Sequence, residues 1–124
     1  MDLPQVNNKN VSGFLNKEDV VRETAKQIMK DFGMFSVEIT FSGDTGNAYR
    51  ELHLQLVNQI TLLLEHNYDL LLSVLYQIDI TEKEIAKAER ELPEYNQIEI
   101  IAHQIIVRDL KKVLLRQYFK SHKS

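Results

Sequence analysis

The stretch from residue 47 to residue 80, NAYRELHLQLVNQITLLLEHNYDLLLSVLYQIDI, limits the fold more than any other part of the chain. Tyr49, Leu52, Leu56, Ile60 and Leu63 recur in it at three- and four-residue steps, which places them on one face of a helix. Val57 and Leu64 widen that face into a core stripe, while Arg50, Glu51, Gln55 and Asn58 fall mostly on the other side. The pattern breaks at Glu65-His66-Asn67. Asn67 is suited to cap a second helix, and Asp69 to sit at the positive end of its dipole. Leu71, Leu72, Leu75 and Ile78 form the second stripe. So short a link makes the two helices antiparallel or sharply angled neighbours, the alternative being one long helix through His66. The expected fold is all-α, a bundle of four to five helices built on a central helical hairpin over about residues 48–78.

Further helices are signalled on both sides. Asn16, with Asp19 three positions on, marks a helix start, and Val21, Ala25, Ile28 and Phe32 share a face. Gly33 follows as the expected terminator, free to take positive φ, so this helix is placed at about residues 17–32. Thr81 and Glu84 make a capping box with Ile80 and Ile85 at the staple positions, opening a short helix to about Glu91 before Pro93. The last helix begins at Pro93 or at Asn96, where Asn96 and Glu99 repeat the cap pattern. Ile98, Ile101, Ala102, Ile105, Val113 and Leu114 carry its stripe towards Phe119 over about 22 residues, roughly 33 Å. Residues 1–15, polar and asparagine-rich with Pro4 and Gly13, read as a flexible arm from which Val11, Phe14 and Leu15 can dock. Residues 16–120 read as one helical domain, and 121–124 as a frayed tail.

Residues 34–41 follow a different rule. Phe35, Val37, Ile39 and Phe41 alternate with Ser36, Glu38 and Thr40, the period of an extended segment with one buried face. No other segment alternates as well, and an unpaired apolar strand invites association. Three arrangements are open: pairing with the same segment of another copy, pairing with the N-terminal arm, or lying extended across the helices without a sheet. The turn that follows, Ser42-Gly43-Asp44-Thr45-Gly46, has neither the lysine nor the glycine spacing of a phosphate loop.

The chain's 124 residues suit one domain, and it has no cysteine, which excludes a disulfide framework or a thiolate metal site. Its net charge of −3 argues against general attraction to nucleic acid or anionic lipid. Residues 1–5 lack the basic start of a signal peptide, and no stretch has the length of a membrane span, so a cytoplasmic location is expected. His53, His66, His103 and His122 have no metal-binding spacing, and partly exposed histidines bonded to water or backbone are expected rather than a zinc or iron site. Asp79, just before a helix start, reads as a turn residue more than as a buried acid. Residues 81–92 resemble the first helix of a helix-turn-helix only superficially: the acids Glu94 and Glu99 stand where phosphate would be met.

One charged feature stands out. Arg108, Lys112, Arg116 and Lys120 are four apart and line one side of the last helix, with Asp109 the local opposing charge. The stripe suits an anion or nucleic acid, but pairing with the acidic region between residues 79 and 99, within or between copies, is the favoured reading. The sequence thus leads to a non-enzymatic interaction module, needing no cofactor, that self-associates as a homodimer. Phe35, Val37, Ile39 and Phe41 are the candidate contact residues, and a different protein partner is a further possibility. A nucleic-acid-associated regulator using the basic stripe is the first alternative. A small-molecule binder or enzyme whose site leaves no sequence signature is the second.

Overall fold

The computed structural model describes residues 5–121. Among them are six α-helices: α1 (Val11–Phe14), α2 (Glu18–Gly33), α3 (Ala48–His66), α4 (Tyr68–Ile78), α5 (Glu82–Glu91) and α6 (Gln97–Ser121), with a 3-10 turn at Thr45–Asn47. The described residues contain no strand, and the fold is the all-α bundle that the apolar periodicities imply. α2, α3 and α6 pack together at its centre. α4 folds back on α3 and also touches α2 and α6, while α5 lies on α6. Val21, Ile28 and Phe32 of α2, Leu52, Leu56 and Ile60 of α3, and Ile105, Ile106 and Leu110 of α6 are wholly buried. α6 is buried without interruption from Ile100 to Val107, so it is wrapped on all sides rather than along one stripe.

The central hairpin is two helices, not one. Asn67 stops α3 and caps α4, its Oδ1 accepting from the Leu70 N–H at 3.2 Å. α6 opens at Asn96 with a reciprocal box, in which the Asn96 N–H donates to Glu99 and the Glu99 N–H to Asn96, both at 2.9 Å. At α5 the Glu84 N–H donates to the Thr81 hydroxyl at 3.2 Å, while that hydroxyl donates to the Glu84 carboxylate at 3.1 Å. The cap expected of Asn16 is not formed. α2 starts at Glu18 behind Lys17, without a side-chain cap, and Glu18 and Asp19 supply negative charge in its first turn.

Gly33 is not the terminator of α2 either. It stays helical, and Ser36 takes the left-handed conformation at φ 62°. The Ser36 N–H donates to Gly33 and the Val37 N–H to Phe32, the two bonds of a Schellman ending. Asp79, φ 68°, ends α4 in the same way, with its N–H on Tyr76 and the Ile80 N–H on Leu75. Both endings place a half-buried or buried apolar residue, Val37 or Ile80, just after the turn, so packing selects them over a glycine stop.

Of the extended segment expected at 34–41, residues 34–36 instead form the turn that ends α2, and residues 37–41 cross the helices with no ladder, the third of the arrangements open to them. Their backbone is met by side chains of α3. Gln55 accepts from the Thr40 N–H at 3.0 Å and donates to the Thr40 carbonyl at 2.6 Å. Glu51 accepts from the Ser42 N–H and hydroxyl. Val37 and Ile39 are buried in the core, with Phe35 and Phe41 half-buried against it. At the N-terminal end Val6, Val11 and Leu15 also enter the core, with Phe14 beside them. His122 and most of the C-terminal tail lie outside the described residues.

Candidate functional site

The basic stripe is largely engaged within the chain. Arg108 donates to Asp79 at 2.7 Å, Lys112 lies 3.6 Å from Asp109, and Arg116 donates to the Gln27 amide oxygen. Lys120 stands exposed near the end of α6. Asp79 stands at the α4 turn and is not a buried acid, but its exposed carboxylate pairs with Arg108 rather than with the free backbone N–H groups expected.

Asp109 does not simply oppose the stripe at the surface. It is wholly buried between α2 and α6, beside Asp31, which is itself buried. Both Asp109 oxygens and Asp31 Oδ2 have no hydrogen-bond partner, while the other Asp31 oxygen accepts from Gln27 at 2.9 Å. Burial first, and then the Asp31 carboxyl, push Asp109 up to about 8, against the pull of the Lys112 ammonium. At neutral pH Asp109 therefore carries a proton and becomes a donor beside an acceptor. The pair escapes the cost of two bare carboxylates in the core.

A second polar cluster brings together residues that no sequence spacing joined. The Tyr49 ring stacks on His53 at 5.3 Å, and Tyr95 packs against both His53 and His103. The Tyr49 hydroxyl lies 2.6 Å from His103 Nδ1 and 3.1 Å from the Tyr95 hydroxyl. His103 Nε2 faces the Asn8 carbonyl at 3.0 Å, and His53 Nε2 the Glu99 carbonyl at 3.1 Å. A carbonyl only accepts, so both Nε2 atoms carry hydrogen. His103 Nδ1 is then the acceptor for Tyr49, whose oxygen accepts from Tyr95. Burial lowers the pKa of His103 against the opposing bond to Asn8, and burial with the Tyr95 bond raises that of Tyr49. His103 is neutral at pH 7 and Tyr49 keeps its proton, so the cluster is a chain of hydrogen bonds between neutral groups.

Asn8 is the hub of this clasp. Its side chain donates to Glu91 of α5 and accepts from Gln104 of α6, tying the N-terminal segment to the body. A wide depression of about 560 Å³ opens over Tyr95 and His103. Among the described residues no group of three or more His, Asp or Glu side chains gathers as a metal site would require. The four-residue step from Tyr49 to His53 was a readable signal for part of the cluster. Nothing local announced Tyr95 or His103. Tyr49→Phe is expected to strand His103 Nδ1 and the Tyr95 hydroxyl and to cost about 1–3 kcal/mol in urea unfolding. Because His103 is held neutral, that network's contribution fades as pH falls through about 6.5, where the unfolded histidine binds a proton.

The third feature is apolar. A groove of about 530 Å³ runs between α4 and the first turns of α5 and α6, floored by Leu71, Leu75, Ile85, Ile98 and Ile101. Leu64 at the end of α3, then Tyr68, Leu72 and Tyr76 one turn apart on α4, line its outer side. Leu64 and Leu72, expected in core stripes, are exposed here, and Tyr76 is 87% exposed. Periodicity located the apolar faces but not the side on which the chain runs out of helices to cover them. Among the described residues, the charged ones lining the groove are Glu82 and Glu89.

No helix among the described residues is long and apolar enough to cross a membrane. Compared with protein-family models, curated proteins and solved structures, the chain matches none.

Proposed function

We propose that this chain is a non-enzymatic helical interaction module that associates with itself as a homodimer. The observation that carries the reading is the row Leu64, Tyr68, Leu72 and Tyr76, exposed side by side along an apolar groove. Single apolar residues on a surface are ordinary, but a contiguous row beside a concave floor marks a contact face. Tyrosine is enriched at such faces because it brings large apolar area and a polar tip at low entropic cost. The contact face is therefore the groove rather than the segment carrying Phe35, Val37, Ile39 and Phe41, whose apolar side packs on the chain's own core. A two-fold pair is the commonest closed assembly.

Sedimentation velocity across micromolar concentrations tests this directly, with wild type run beside Leu72→Glu/Tyr76→Glu. Wild type is expected to move from monomer to dimer as concentration rises, and the double variant to stay monomeric with unchanged helical circular dichroism. A wild type that remains monomeric throughout would overturn the reading.

A further inference from the structure

The last turns of α6 form a second uncovered surface. Burial along that helix ends at Leu114; from Leu115 to Ser121 no residue is buried. Leu115 and Phe119, one turn apart, are both exposed, and Arg116 and Lys120 form a basic ridge beside them. The end of the helix thus carries an uncovered apolar pair beside basic side chains, although Arg116 still reaches Gln27 of α2. The groove has the opposite character, an apolar floor with Glu82 and Glu89 as its charged lining residues.

We infer that the groove of one copy receives the Leu115–Phe119 face of α6 from a second copy, with Arg116 and Lys120 meeting Glu82 and Glu89. This rests on the self-association proposed above and names the surfaces that perform it. Each copy carries one such helix end and one groove, so a reciprocal exchange closes a two-fold dimer and duplicates every contact. Insertion of an amphipathic helix into an apolar groove is a recurrent mode of recognition, with side chains at four-residue steps as anchors. The apolar pair supplies the affinity, and the charges set orientation and partner choice. Opposite charge on helix end and groove selects that pairing over groove against groove, which would bring Glu82 and Glu89 of both copies together.

Charge exchange in the full chain tests the inference. Glu82→Lys/Glu89→Lys and Arg116→Glu/Lys120→Glu are each expected to weaken the dimer about tenfold or more by sedimentation. Leu115→Glu/Phe119→Glu is expected to weaken it more. All six positions are exposed, so circular dichroism is expected to be unchanged. Mixing the two charge variants in equal amounts restores opposite charges at both contacts, and the mixture is expected to dimerise as wild type does. A dimeric wild type whose association is untouched by the Leu115/Phe119 change, or whose charge variants are not rescued by mixing, overturns the inference and leaves self-association standing elsewhere. A monomeric wild type removes both.

Discussion

Asp109→Asn is expected to make the protein more stable at pH 8 than wild type, by several kcal/mol, and to flatten its pH dependence. The sign follows from the buried pair between α2 and α6. Asp109 is held at about 8 in the folded chain, far above an ordinary carboxylate. Between about pH 4 and pH 8 the folded state keeps a proton that the unfolded chain has released. The stabilisation is complete below the lower limit and is lost as pH rises through the upper one, at on the order of 1.4 kcal/mol per pH unit. Asparagine keeps the shape of the protonated acid and cannot ionise, so the two stability curves should converge near pH 4 and separate above it. His103 is present in both proteins, so its opposite dependence cancels in the difference. Urea unfolding at a series of pH values reads the result, and parallel curves would show that Asp109 is already ionised in the native chain.

Leu56→Ala is expected to cost about 3–5 kcal/mol, against less than about 1 kcal/mol for Leu62→Ala on the same helix. Leu56 is wholly buried where α3 meets the rest of the core, while Leu62 is 49% exposed. Truncating the first removes its transfer free energy and leaves a cavity between packed helices. The second loses contacts that water replaces. Equal losses at the two positions, measured by chemical denaturation, would mean that α3 does not face the core as described.

Leu56 was legible from the sequence because a helical period reports which side of an element is apolar. The cap at Asn67 and the box of Asn96 and Glu99 were legible for similarly local reasons, while one long helix through His66 and a start at Pro93 stayed open until the packing was known. Leu72 was not, because the period that identifies an apolar face is blind to whether a neighbour arrives to cover it. Polar residues that accompany an apolar face inward escaped for a related reason. Asp31 sits one residue before Phe32, and Asp109 one before Leu110, and either would pass for a solvent-facing neighbour. Their burial depends on α2 meeting α6 across a separation in sequence that no local pattern spans. The Tyr95–His103 contact is hidden in the same way, since the turn after Pro93 sets it.

The grip of Gln55 on Thr40 has a consequence for the chain's safety in solution. Alternating apolar runs such as residues 37–41 are the raw material of cross-β fibres, which grow by recruiting free amide and carbonyl groups one layer at a time. A glutamine side chain is a backbone amide on a short tether, and here it occupies both recruiting groups of Thr40 while the apolar flank is packed on the core. One side chain thereby acts as a fixed, single-residue capping strand, shielding a fibre-prone sequence without a sheet having to be built.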